Sequence, residues 1–222
     1  MATKSGVCGA DAVYLLDTDQ ETITISGNGS TFDYNDRDFF PDWYEDRDYI
    51  RYVIISNNIS RVGAYIFRSL NRLEKVTFAD SVTEIGPVSF DHCPNLRKLE
   101  LSKNLETIGN NAFDFCDIDQ FWNDSIIYNP YIDPSKTGKY YPLEFPATLK
   151  SVGIEAFRFN SDMKKVFMPD DIEHIGNAAF AGMQYDFTLV GTSEIVKFYC
   201  RTNSCWYSVD GKDDEKAWDI SQ

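Results

Sequence analysis

The chain lacks most of what catalysis and membrane insertion require. It has only two histidines, no C-x-x-C pair, and no apolar run approaching the ~20 residues of a spanning helix. So few histidines leave little choice of general base or metal ligand. Cations are scarce as well: 21 Lys and Arg stand against 35 Asp and Glu, a formal charge of −14. Such a surface repels phosphate backbones and anionic bilayers, so neither nucleic acid nor membrane insertion is expected. The start, Met1 to Gly9, lacks the apolar stretch of a secretory leader, and Ala12 to Leu16 is too short to be one. As it stands the chain reads as soluble, which also suits the mature form of a secreted protein. Its five cysteines, Cys8, Cys93, Cys116, Cys200 and Cys205, have no zinc spacing and cannot all pair within one chain.

What is present is ordinary in bulk and unusual in aromatics. Apolar residues make up 43% and charged residues 25%, enough for a packed core. Aromatics reach 15%, from 16 Phe, 13 Tyr and 4 Trp. They give contact area at low entropic cost, a surplus that favours a binding protein.

Self-similarity organises the rest. LEKVTFADSVTEIGPVSFDHCPN, from Leu73 to Asn95, aligns without gaps on LRKLELSKNLETIGNNAFDFCDI, from Leu96 to Ile118. Ile50 to Arg72 fits the same template, as do Tyr140 to Asp162 and Met163 to Tyr185. Glycine fixes the frame at Gly63, Gly86, Gly109, Gly153 and Gly176, and phenylalanine follows four residues later at Phe67, Phe90, Phe113, Phe157 and Phe180. Coil positions four and six alternate as in a half-buried strand, for example Val76/Phe78 and Leu99/Leu101. A second extended piece follows at positions ten and thirteen, such as Val82/Ile85. The glycine then allows a corner where a side chain would clash or φ must be positive. Ala112-Phe113, Ala156-Phe157 and Ala179-Phe180 suit a short helical turn that drops phenylalanine into the core. One coil cannot close its own core, so the coils must stack at the ~4.8 Å strand spacing.

The V-x-x-I-G-x-x-x-F pattern resembles the BspA-like leucine-rich repeats of bacterial and protist surface proteins. The stretch from Cys8-Gly9 through AVYLLDTDQETITISGNG to Trp43-Tyr44 is similar to the capping module that precedes such repeats, and Phe187 to Gly211 to their closing segment. The fold this implies is a β-rich leucine-rich-repeat solenoid of 23-residue coils, with a parallel sheet on one face, short helical turns and an N-terminal β-hairpin cap. Residues 1–49 form the cap, 50–118 the first three repeats, 119–139 an insertion, 140–185 repeats four and five, and 186–222 a degenerate closing repeat.

Within the cap, residues 12–27 read as a hairpin about Asp17-Thr18-Asp19-Gln20 that shields the first coil's edge. Residues 33–48 read as a short helix or loop packed on it through Phe39, Phe40, Trp43 and Tyr44. The insertion is close to one coil in length, while Pro130, Pro134 and Gly138 favour a protruding loop; both readings stay open. Its aromatics, Phe121, Trp122, Tyr128 and Tyr131, are binding anchors in one reading and fold back on the solenoid in the other.

No constellation of catalytic residues emerges. His92 and His174 fall on different faces. Cys93 and Cys116 sit on a core ladder shared with Leu70 and Met183, so they read as buried, unbonded thiols. Asp17-x-Asp19 and Asp117-x-Asp119 lack the spacing of a calcium loop and read as solvated turns. No metal, cofactor or enzymatic activity is expected.

The outward strand positions, three and five, offer Tyr52, Ile54, Lys75, Thr77, Lys98, Glu100, Glu144, Lys165 and Phe167 as a docking face. Lys75, Lys98 and Lys165 share one column on an otherwise acidic chain, with Ile54 and Phe167 exposed at its ends. The resemblance implies a non-enzymatic, cell-surface or secreted adhesion module that binds a host or neighbouring-cell protein, or its own copies. The alternative is a cytoplasmic scaffold or self-assembling subunit.

Overall fold

A single long strand joins the cap to the repeats. In the computed structural model, residues 3–118, 142–184 and 186–210 are described, with the backbone alone at 121–122, 139–140 and 215–216. Strands β1 (Thr3–Val7), β2 (Gly9–Asp17) and β3 (Thr22–Thr31) form an antiparallel meander. The expected hairpin turn is there: Asp17 Oδ1 accepts from the amides of Asp19 and Gln20, both at 3.0 Å. The hairpin is longer than expected, and β1 is an addition, because TKSGV shows no apolar alternation. β3 then runs parallel to both strands of the first coil, β4 (Tyr52–Ile55) and β5 (Ile59–Val62). Between these two pairings lies Gly27 at φ +106°, where a Cβ would meet Asp11 O at 2.1 Å. Residues 33–48 pack on the cap through buried Trp43 beside a 3-10 turn, Tyr44–Tyr49, while Phe39 and Phe40, expected to pack with it, stay exposed.

Each of the five coils adds one front and one back strand, and the closing segment adds two more front strands. The front strands are β4, β6 (Lys75–Phe78), β8 (Lys98–Glu100), β12 (Leu143–Glu144), β14 (Lys165–Phe167), β16 (Thr188–Val190) and β17 (Trp206–Ser208). The back strands are β5, β7 (Glu84–Ile85), β9 (Thr107–Ile108), β13 (Ser151–Val152) and β15 (His174–Ile175). The back ladder crosses the interruption without a break, Thr107 pairing with Ser151. The front ladder does not: β3-β4-β6-β8 and β12-β14-β16-β17-β18 are separate sheets, β18 being Glu215–Lys216. The front face therefore comes in two pieces. The insertion contributes only one described feature, an antiparallel pair of β10 (Phe121–Trp122) and β11 (Lys139–Tyr140). Whether it makes a coil or a loop falls outside the described residues, as do the side chains of Trp122, Tyr128 and Tyr131.

The expected helical turns are instead a third ladder. Phe90, two residues beyond Val88 at φ +59° and two before His92 at φ +56°, donates its amide to Ala112 O at 2.8 Å. Val88 and His92 themselves donate to Asn110 O and Asp114 O, both at 2.9 Å. The same pattern repeats from Asn111, Phe113 and Phe115 to Ile154, Ala156 and Arg158. Left-handed backbone is costly for Val or Phe, and these inter-coil bonds are what hold it.

Close approach, not a positive φ, requires the corner glycines. A Cβ on Gly153 would lie 2.5 Å from both Gly109 C and Asn110 N. Because each coil presses its glycine onto the previous one, the phenylalanines line up as a spine. Ring centroids run Trp43–Phe67 5.8 Å, Phe67–Phe90 5.1 Å, Phe90–Phe113 5.2 Å, Phe113–Phe157 5.2 Å, Phe157–Phe180 5.5 Å and Phe180–Phe187 5.6 Å.

The ladder holding Cys93 and Cys116 is buried, as expected, and both are free thiols. Each Sγ reaches the carbonyl of the preceding coil's phenylalanine: Cys93 to Phe67 O at 3.2 Å, Cys116 to Phe90 O at 3.1 Å. Asn160 occupies the same ladder and donates to Phe113 O at 2.8 Å. Beyond the last coil, helix α1 (Glu194–Asn203) closes the stack, Phe180 donating its amide to Tyr199 Oη at 2.9 Å. Among the described residues no helix is long and apolar enough to cross a membrane.

Candidate protein-binding face

Side chains of positions three and five point away from the core because positions four and six fill it. In β6, Val76 and Phe78 are buried while Lys75 and Thr77 are half-exposed. Register brings Lys75 opposite Lys98 and Thr77 opposite Glu100. These four form one polar cluster. Glu100 accepts from Lys75 at 2.8 Å and lies 3.3 Å from Lys98 through the same oxygen, while Thr77 donates to its other oxygen at 2.8 Å. Burial pushes the Glu100 carboxyl up, and the bonds from Lys75 and Thr77 reverse this, leaving it below the usual range.

This geometry changes the charge argument. Lys75 and Lys98 share a carboxylate, so they are not isolated cations on an acidic surface. Lys165 lies in the other front sheet, paired with Thr188, so the three lysines do not form a continuous column. Glu144 is exposed in that second sheet, while Phe167 is half-buried, against the expectation of an exposed ring. Between the two sheets lies a cleft of about 480 Å³, walled by Leu99, Leu101, Pro142, Glu144 and Phe145 among others. Asp117 departs from the expected solvated turn: it is half-buried and ion-paired to Arg97. Burial raises its carboxyl, and Arg97 opposes the shift.

Beyond Ile54, the apolar part of the face was not anticipated. Leu15 pairs with Thr24, and Thr24 with Ile54, so the three stand in one row across β2, β3 and β4. Val7 pairs with Val13 in the adjacent row. Exposures are 57% for Val7, 44% for Val13, 49% for Leu15 and 40% for Ile54. Four aliphatic side chains therefore make a bare patch that continues into Tyr52 and the Lys75–Glu100 cluster. The signal was present in AVYLL: a strand with one wet face should alternate, yet Val13 and Leu15 are as apolar as the core residues Ala12, Tyr14 and Leu16.

A second exposed strip runs along the turns. His92 stacks on Phe115 and Phe115 on Phe159, both with centroids 4.6 Å apart, beside exposed Ile154. Arg158 lies over both phenylalanines, at 5.5 and 5.3 Å, and is anchored by buried Asp114 at 2.6 Å. Phe115 and Phe159 are still 39% and 45% exposed, but they stack on each other and under Arg158, contacts the front aliphatics do not have.

Parallel ladders of 23-residue coils around a phenylalanine spine define a leucine-rich-repeat solenoid. The chain belongs to the BspA type leucine-rich-repeat family, whose model matches in six copies over residues 42–127 and 135–200. Among solved structures it is similar to a leucine-rich repeat protein of Eubacterium ventriosum, at 26% identity and a TM-score of 0.63, covering 79% of this chain and 40% of that one. The T. pallidum leucine-rich repeat protein shares the fold at 17% identity and a TM-score of 0.52, over 88% of this chain and 77% of that one. One from Bacteroides ovatus does so at 18% and 0.51, over 82% and 40%. The chain thus spans less than half the length of the E. ventriosum protein. None of the curated proteins matches it.

Proposed function

We propose that the chain is the non-enzymatic, protein-binding part of a cell-surface or secreted protein, and that it docks its partner on the front face. The aliphatic patch of Val7, Val13, Leu15 and Ile54 carries this reading. Exposed apolar surface next to a paired polar cluster is the composition of an interface core with its rim. Tyr52, Lys75, Thr77, Lys98 and Glu100 supply that rim, and Glu144, Lys165 and Phe167 extend it beyond the cleft. Since Lys75 and Lys98 share Glu100, apolar contact dominates and the affinity depends only weakly on salt.

The double variant Leu15→Glu/Ile54→Glu tests this. Both positions are exposed, so each change should move stability by no more than about 0.5 kcal/mol. The immobilised variant should lose proteins that the wild-type chain retains from extracts of its source cells, with an unchanged melting curve. Retention of the same set would sink the front-face reading. Surface display is tested separately: a membrane-impermeant reagent should label the protein on intact cells, and labelling only after lysis would favour the cytoplasmic scaffold.

A further inference from the structure

The two cysteines at the C-terminal end bring their sulfurs into direct contact. Cys200 lies in the last turn of α1, fully buried, and Cys205 lies just past the helix, partly accessible. Between them Ser204 takes a left-handed C-cap (φ 56°, ψ 37°), which turns the chain back so that Cys205 N donates to Cys200 O at 3.3 Å. The two sulfurs are 2.8 Å apart, well inside van der Waals contact. A disulfide would require them to close by only about another 0.8 Å.

We propose that Cys200 and Cys205 are a modification site, at which an intrachain disulfide forms by exchange with a small-molecule disulfide and staples the end of α1 to the start of β17. Cys205, the accessible member, attacks one sulfur of the small disulfide as its thiolate and expels one thiolate. Cys200 then loses its proton and attacks Cys205 Sγ, expelling the second. Two thiols are oxidised by two electrons, the small disulfide is reduced to two thiols, and both protons end on the leaving groups.

The position argues for a structural staple rather than an exchange catalyst. Catalytic thiols gain acidity at helix N-termini, whereas Cys200 is at a C-terminus, and its partner sulfur and burial push its thiol up. The bond would secure the closing helix, whose Tyr199 packs edge-on against Phe180 of the spine. Cys8, Cys93 and Cys116 are all buried, so none of them can start the exchange as the partly accessible Cys205 does.

The test is to equilibrate the native protein with excess oxidised glutathione, denature it, and count and map the thiols. The five thiols of the reduced chain should fall to three, with a mass loss of two hydrogens and a Cys200–Cys205 link in the peptide map. Dithiothreitol should restore all of them, and C205S should keep four thiols before and after treatment. Persistence of every thiol, a link involving Cys8, or a stable glutathione adduct on Cys205 would overturn the proposal.

Discussion

Phe113→Ala should lower the unfolding free energy by about 3–5 kcal/mol, the usual cost of removing a buried phenylalanine. Phe113 is fully buried, with rings stacked on both sides at 5.2 Å. It is also the last ring of the spine before the interruption and stacks the third coil on the fourth. In a repeat array each coil is stabilised by its neighbours, so the loss falls on the weakest junction. Urea unfolding should show both a lower midpoint and a broader transition, as the two halves begin to melt separately. A loss below ~1 kcal/mol would place Phe113 outside the spine and undo the register.

Asn160→Leu should be about as damaging despite its similar size and greater hydrophobicity. The side chain is fully buried and makes hydrogen bonds that no apolar residue replaces, among them a long one of 3.5 Å to Arg158 O. Its Nδ2 donates to Phe113 O at 2.8 Å and Phe157 O at 2.9 Å, and its Oδ1 accepts from Ile118 N at 3.1 Å. Each buried group left unpaired costs about 1–3 kcal/mol, so a total above ~3 kcal/mol is expected in the same urea experiment. Asn160→Cys should fall between the two, because Cys93 and Cys116 show that a thiol at this position still reaches the preceding phenylalanine carbonyl. A Leu variant as stable as wild type would mean that the ladder needs only bulk.

These two residues also mark the reach of the sequence. Phe113 was legible because the glycine–phenylalanine spacing repeats five times, and a repeat that buries one ring must bury them all. The Cys93–Cys116 ladder was legible as buried, but Asn160 was not recognised on it, since its role depends on a backbone carbonyl that no spacing reveals. The turn ladder was hidden for a related reason. Left-handed backbone at Val88, Phe115 and Phe159 runs against residue preference and is held by hydrogen bonds these amides donate to the next coil. The break in the front sheet was equally invisible, because the interruption separates two front strands while leaving β9 beside β13. On the candidate face, Ile54 was picked out from coil position alone. Val7, Val13 and Leu15 join it only once β3 is seen to carry the cap into the same sheet.

The most direct measurement is side-chain footprinting of the chain with its captured partner bound, read residue by residue against the chain alone. Protection at Val7, Val13, Leu15, Tyr52 and Ile54, with Ile154, Phe115 and Phe159 unchanged, is the predicted result. Protection confined to those three turn residues, with the aliphatic patch as reactive as before, would contradict the account.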